Sequence, residues 1–115
     1  MTGVFPDDFI HAYSATMTAA RARAVPTPLI ENDRVIVTEW RFAPGAETGW
    51  HVHGYDYVVV PQTNGRLLLE AKEGDRYAEL HIGQPYFRNA GVEHNVVNAN
   101  EHEFVFIEVE LKAAG

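Results

Sequence analysis

The 115-residue chain predicts an all-β domain, a sandwich or barrel of short strands led by a single α-helix. Three observations carry this expectation. From Asp33 onward, short segments rich in β-branched and aromatic residues follow one another at regular spacing. Clusters of Gly, Pro, Asn and Asp punctuate them as turns do. Upstream, apolar residues recur at helical spacing instead. The length suits one domain with its own core.

Residues 7–24 read as the helix. Pro6 precedes it, Asp7 and Asp8 complement the positive end of its dipole, and Arg21 and Arg23 the negative end. Phe9, Ile10, Tyr13, Met17 and Ala20 form its apolar stripe, and Pro26 and Pro28 stop it. The first strand follows as Arg34–Phe42 and ends at the turn Ala43-Pro44-Gly45. Further strands are expected at Tyr55–Val60, Arg66–Ala71, Arg76–Ile82, Tyr86–Arg88, His94–Val97 and Glu103–Leu111. No repeat or linker interrupts them, so the organisation expected is a helix and extended arm over 1–28 and a single barrel over 29–115. In the last strand Phe104, Phe106, Glu108 and Glu110 share one face, and Val105, Ile107, Val109 and Leu111 the other. The uniformly apolar face is expected to fill the barrel. Phe104 and Phe106 then lie outside, where leaving each wet forgoes about 1.5–3 kcal/mol. The helix or a second subunit would cover them, and a homodimer is the expectation.

A net charge of -7 and a pI near 5.2 argue against a nucleic-acid partner, which requires a basic face. The absence of cysteine excludes disulfides and thiolate metal sites. No segment resembles a signal peptide or is apolar enough to span a membrane, so no membrane partner and a cytoplasmic location are expected.

His51 and His53 are one residue apart, and on a strand both side chains emerge on the same face. Two imidazoles so placed can reach one metal ion, and a third can arrive from a neighbouring strand. Gly45 stands five residues before His51-Val52-His53, and Tyr57, Val58-Val59-Val60 and Gly65 follow. A second cluster runs Gly83, five residues, Asn89-Ala90-Gly91, two residues, His94, three residues, Asn98. This pair of motifs resembles the two-motif signature of the cupin superfamily over roughly residues 33–111. The segments Glu31–Val35, Trp40–Gly45, Gly49–His53 and Asp56–Pro61 further resemble a group of small bacterial cupins, some associated with β-alanine breakdown.

The resemblance implies a cupin jelly-roll β-barrel, or double-stranded β-helix, behind the N-terminal α-helix, with a pocket between its sheets and dimerisation as the usual state. It implies His51, His53 and His94 as ligands of a divalent metal, with Fe foremost and Zn, Ni, Mn or Co also suited to imidazole. The family's proline before Ala90-Gly91 is Asn89 here. The family's glutamate ligand is missing as well. Tyr57 or Val58 stands at its place, with Asp56 just before. Counting by two from His51 and His53 points Tyr55, Tyr57 and Val59 inward and Asp56 outward, unless a bulge at Gly54 reverses them. Tyr57 is the catalytic candidate, open between a fourth ligand, a proton-transfer group and a pocket wall. Trp50, Tyr55, Tyr86 and Arg88 are further pocket candidates, Arg88 as the partner of an anionic substrate. His11, His81 and His102 read as surface residues, and Asn98 as structural.

A three-histidine site without a carboxylate leaves the ion its full charge and favours an anionic or chelating ligand. The expected function is metal-dependent dioxygenation or lyase chemistry on a small polar or anionic metabolite. The alternative is a non-catalytic metal- or ligand-binding cupin. A metal-free sugar isomerase of the cupin type is disfavoured, because its acid–base residues need no metal triad.

Overall fold

The computed structural model describes residues 21–113, in which nine strands and no helix occur. They are β1 (Val25–Glu31), β2 (Val35–Phe42), β3 (His51–Val52), β4 (Asp56–Pro61), β5 (Gly65–Glu70), β6 (Arg76–Leu80), β7 (Tyr86–Arg88), β8 (Glu93–Asn98) and β9 (Phe104–Leu111). One sheet has the order β1-β2-β9-β4-β7 and the other β3-β8-β5-β6, and every pairing between these strands is antiparallel. Two such sheets face to face make a jelly roll with its core between them.

Strand alternation explains the core. β4 buries Tyr57, Val59 and Pro61 and turns Val58 and Val60 outward, and β5 buries Leu67 and Leu69. Phe42 and Phe106 meet across the β2–β9 pair with ring centroids 5.5 Å apart. β8 is buried along nearly its whole length, and residues 46–48 run beside its edge, continuing the β3 pairing through a bridge between Glu47 and Val97.

Three expectations are revised. The helix proposed for 7–24 lies outside the described residues as far as residue 20. Residues 21–24 are extended: Arg23 bridges Glu47, and the Ala24 N–H donates to the Glu47 carbonyl at 2.8 Å. Val25–Glu31 is a strand where two prolines suggested none. It occupies a sheet edge, where proline's missing N–H can face away from the ladder. The last strand is inverted relative to expectation. Phe104, Phe106 and Glu108 are buried inside the barrel, and Ile107, Val109 and Leu111 lie on its outer side. The phenylalanines are thus covered within the subunit, which removes the reason for placing them against a second one.

Asn98 closes the barrel end beneath β8. Its side-chain amide lies within hydrogen-bond distance of the carbonyls of Phe42, Ala43 and His102, and its carbonyl oxygen accepts from the Asn100 N–H. Only 2 % of Asn98 is exposed, so its removal leaves the buried Phe42 carbonyl, and the partly buried contacts to Ala43 and His102, without their donor. Asn98→Ala is expected to lower unfolding free energy by about 2–4 kcal/mol in urea titration. A loss below about 1 kcal/mol would show that these carbonyls find other partners.

Candidate metal centre

β3 and β8 bring the histidines together. His51 is the direct cross-strand partner of His94, and His53 continues beyond β3 with its N–H donating to the Val92 carbonyl at 2.9 Å. Gly91 completes this ladder by donating to the His53 carbonyl at 2.8 Å, from a backbone with φ of 96° that suits glycine. The three rings meet at their Nε2 atoms, with His51 to His53 at 3.0 Å and His53 to His94 at 3.2 Å.

Those distances set a protonation problem. His51 Nδ1 lies 2.8 Å from the Gly49 carbonyl, which can only accept, so Nδ1 carries the proton and Nε2 a bare lone pair. Burial and the neighbouring His51 lower His53 to about 4, and burial with His51 and His53 lowers His94 to about 3. His53 and His94 are then neutral near pH 7. A proton on His53 Nε2 can bridge to one neighbour but not satisfy both, and one on His94 leaves His51 and His53 facing with bare lone pairs. A cation that accepts three lone pairs resolves every contact. Two imidazole nitrogens bound at right angles, each about 2.1 Å from one ion, lie about 3.0 Å apart, so the spacing fits a first-row metal.

A chain of hydrogen bonds holds the approach to His51. The Asn95 side chain accepts from the Gly49 N–H at 2.9 Å and donates to Glu47 and Glu70 at 2.8 and 2.9 Å. Arg21 makes a two-pronged contact with Glu70 at 3.1 and 3.2 Å and reaches Glu47 at 3.2 Å. Gly49 has φ of 92°, and a Cβ there would lie 2.7 Å from the Arg23 guanidinium, so the turn into β3 suits glycine alone. These residues are scattered through the sequence in no recognisable spacing.

Tyr57 points inward, 2 % exposed, and stacks on His53 with ring centroids 3.9 Å apart. Its hydroxyl is buried without a hydrogen-bond partner, and burial raises its pKa, so it keeps its proton. Asp56 accepts from the Ala90 N–H at 2.8 Å and braces the turn before β8, so no bulge carries it to the histidines. Tyr86 lines the same cavity, about 360 Å³ in volume.

The other pocket candidates lie elsewhere. Trp50 is 49 % exposed, with its indole donating to Glu93, since it precedes His51 and takes the opposite parity. Tyr55 is 37 % exposed in the bend between β3 and β4, where strand parity does not run through. Arg88 shares the inward face with its cross-strand partner Tyr57 but lines the adjoining clefts rather than the histidine cavity. His81 and His102 are exposed.

A carboxylate does reach the cavity, from β9. Glu108 is buried there, with Oε2 3.9 Å from His53 Nε2 and Oε1 3.4 Å from the Trp40 indole nitrogen. Glu110 lines the cavity beside it. Burial, then the Glu110 charge, pushes Glu108 up to about 7, against the Trp40 hydrogen bond, and burial also raises Glu110. His53, Glu108 and Glu110 form a second group able to hold a cation, sharing one member with the histidine triad. The histidine triad thus stands as a group without a carboxylate, as expected, but the cavity around it also holds two glutamates that were not expected there. The alternation of Glu108 and Glu110 with Phe104 and Phe106 held the signal, but the all-apolar opposite face pointed the other way.

A lowered imidazole pKa leaves the ring neutral, and so able to bind metal, below its ordinary range. In metal-stripped protein, NMR titration is expected to show His53 and His94 neutral at pH 5 and protonating only near 4 and 3. Midpoints near 6.5 for both rings would mean that the site is open to water.

No family model matches the chain. It is 67 % identical over 94 residues to the beta-alanine degradation protein BauB of Pseudomonas aeruginosa, covering 82 % of this chain and 99 % of that protein. A cupin domain from Bordetella pertussis Tohama I superposes with a TM-score of 0.81 at 58 % identity, covering 82 % of this chain and 98 % of that one. A cupin superfamily protein from Desulfitobacterium hafniense shares the fold alone, with a TM-score of 0.62 at 18 % identity over 82 % of this chain and 83 % of that one. With the jelly roll, the two motifs and the histidine cluster already in place, the chain belongs to the family of small bacterial cupins that includes BauB.

Proposed function

We propose that the chain is a metal-dependent enzyme in which His51, His53 and His94 hold a divalent ion, iron foremost, for dioxygenase- or lyase-type chemistry on a small polar metabolite. The observation that carries the metal is the meeting of three imidazole Nε2 atoms, at Nε2–Nε2 distances of 3.0 and 3.2 Å that one first-row ion can bridge. Such an ion supplies Lewis acidity to a donor atom of the substrate. The protein's own groups do the rest. Apolar walls from Leu67, Leu69, Val96 and Phe106 limit water, and the protonated Tyr57 hydroxyl can donate a hydrogen bond into the cavity. The name of the Pseudomonas relative supports placing the substrate among the small amino or organic acids of β-alanine breakdown.

Elemental analysis of protein purified without chelator tests the reading. About one equivalent of a first-row metal per chain is expected, with a loss of affinity of about tenfold or more in each of His51→Ala, His53→Ala and His94→Ala. His81→Ala, His102→Ala and Tyr57→Phe should retain it. Full metal in all three site variants, or none in the parent, would refute the ligand set. Oxygen uptake with candidate substrates separates a dioxygenase from a lyase, and turnover of any kind separates both from a binding module.

A homodimer is proposed on a different surface from the one first expected. β1 is a sheet edge carrying Val25, Leu29 and Ile30 at 57, 52 and 51 % exposure, and a second copy of this chain could cover it. Light scattering should then give about twice the 12.9 kDa chain mass, and Leu29→Glu should shift it towards the monomer. A monomeric parent would end this proposal.

A further inference from the structure

We propose that Glu108 and Glu110 seat a positively charged, ammonium-bearing end of the substrate, with the Tyr57 hydroxyl beside it and the histidine-bound ion at the substrate's other end. This rests on the reading of the cavity as a substrate site and assigns its ligand class.

The placement follows from strand register. On β9 the two glutamates alternate onto the cavity face, Glu108 opposite Val59 and Thr38, and Glu110 opposite Tyr57 and Ile36. Directly paired residues project to the same side of a sheet, so the Glu110 carboxylate and the Tyr57 ring stand next to each other. Among the described residues no Lys or Arg lines this cavity, and neither glutamate forms an ion pair with one. Glu108 has only a long contact to the Trp40 indole and a 3.9 Å approach to His53. A buried carboxylate without a cation is costly, and Glu108 is one, with the partly buried Glu110 beside it in the same cavity.

An independent group points to the same occupant. The Tyr57 hydroxyl is buried, lines this cavity and has no partner within the protein. A ligand atom there would satisfy it as either donor or acceptor. Trp40, Tyr86 and Phe106 add aromatic walls of the kind that attract cations through their ring faces.

The histidine-bound ion does not remove the need for a second cation. The triad and the carboxylates form two overlapping groups that share only His53, so Glu108 and Glu110 lie beside the point where the three histidines meet and can face a second positive charge. A substrate with a metal-binding donor at one end and an ammonium at the other spans both groups. A volume of about 360 Å³ suits a molecule of a few carbons, at the lower end of the range for ligand pockets.

The test uses propylammonium and 1-propanol, matched in size and differing in charge, at about pH 8, where ordinary carboxyls are ionised and the amine is still protonated. Binding is followed by NMR shifts of the Trp40 indole in both as-purified and metal-stripped protein. Propylammonium is expected to bind at least about tenfold more tightly than propanol. Glu108→Gln and Glu110→Gln should each reduce that preference by about tenfold, while surface Glu79→Gln keeps it. Metal content of Glu110→Gln should equal that of the parent. Equal binding of the two probes, no binding of propylammonium by the parent protein, or unchanged preference in both Gln variants would overturn the proposal. So would a second metal equivalent that Glu110→Gln removes, which would make the carboxylates a metal site. Metal-stripped protein distinguishes failure of the ammonium seat from failure of the metal triad. An ammonium preference there stands even if the triad holds no metal, and a metal-loaded protein without that preference fails the ammonium seat alone.

Discussion

The site depends on a register between two short pieces of chain. β3 is a two-residue strand, yet it must place His51 opposite His94, because a slip of one residue would turn the facing side chains to the other side of the sheet. Two residues of ladder are too few to enforce that alone. Backbone bonds beyond the strand, from Thr48 to Val96, His53 to Val92 and Gly91 to His53, extend the pairing on both sides. Asn95 then fixes the turn from the side-chain direction through Gly49. The imidazoles converge because these backbone bonds hold His51, His53 and His94 in one register.

Electrostatics divides between the two sheets. The histidines come from the sheet containing β3 and β8, or from the residue just past β3, and the carboxylates from β9 in the opposite sheet. Burial acts on both sets in the same sense, favouring the uncharged form: it lowers His53 and His94 and raises Glu108 and Glu110. Neutral His53 and His94 keep the lone pairs that a cation needs. A metal ion reverses the penalty on the carboxylates, because a nearby positive charge favours their ionised form.

Most of the fold was legible in the sequence. The turn residues delimited β2 and β4 to β9 to within a few residues, since each strand lies between Gly, Pro or Asn punctuation and alternates cleanly. Tyr57 turns inward as expected, through the alternation of β4 itself since the bend at Tyr55 breaks the count from His53, and the convergence of His51, His53 and His94 agrees with the motif spacing. β1 was hidden because Pro26 and Pro28 are poor strand residues everywhere except an edge. Glu108 was hidden for a different reason. Both faces of β9 carry enough apolar residues to serve as the inner one, and only its neighbours β2 and β4 decide between them. The Arg21–Glu70–Asn95 chain has no local signature at all, since it is made by residues from an extended arm and two strands.

With one set of reactive groups on each sheet, the gap between the sheets is a chemical variable. Phe42 and Phe106 stand in that gap, and Phe106 also borders the cavity. Both rings belong to the sheet that carries Glu108 and fill the core between it and the sheet of the histidines. A smaller side chain at either position would do more than loosen the core: it would let the jaws close and alter the distance across which charge is exchanged. Residues that read as inert filling would thereby bear on the site, and drift in this core would change the spacing between the two sets while every polar side chain stayed the same.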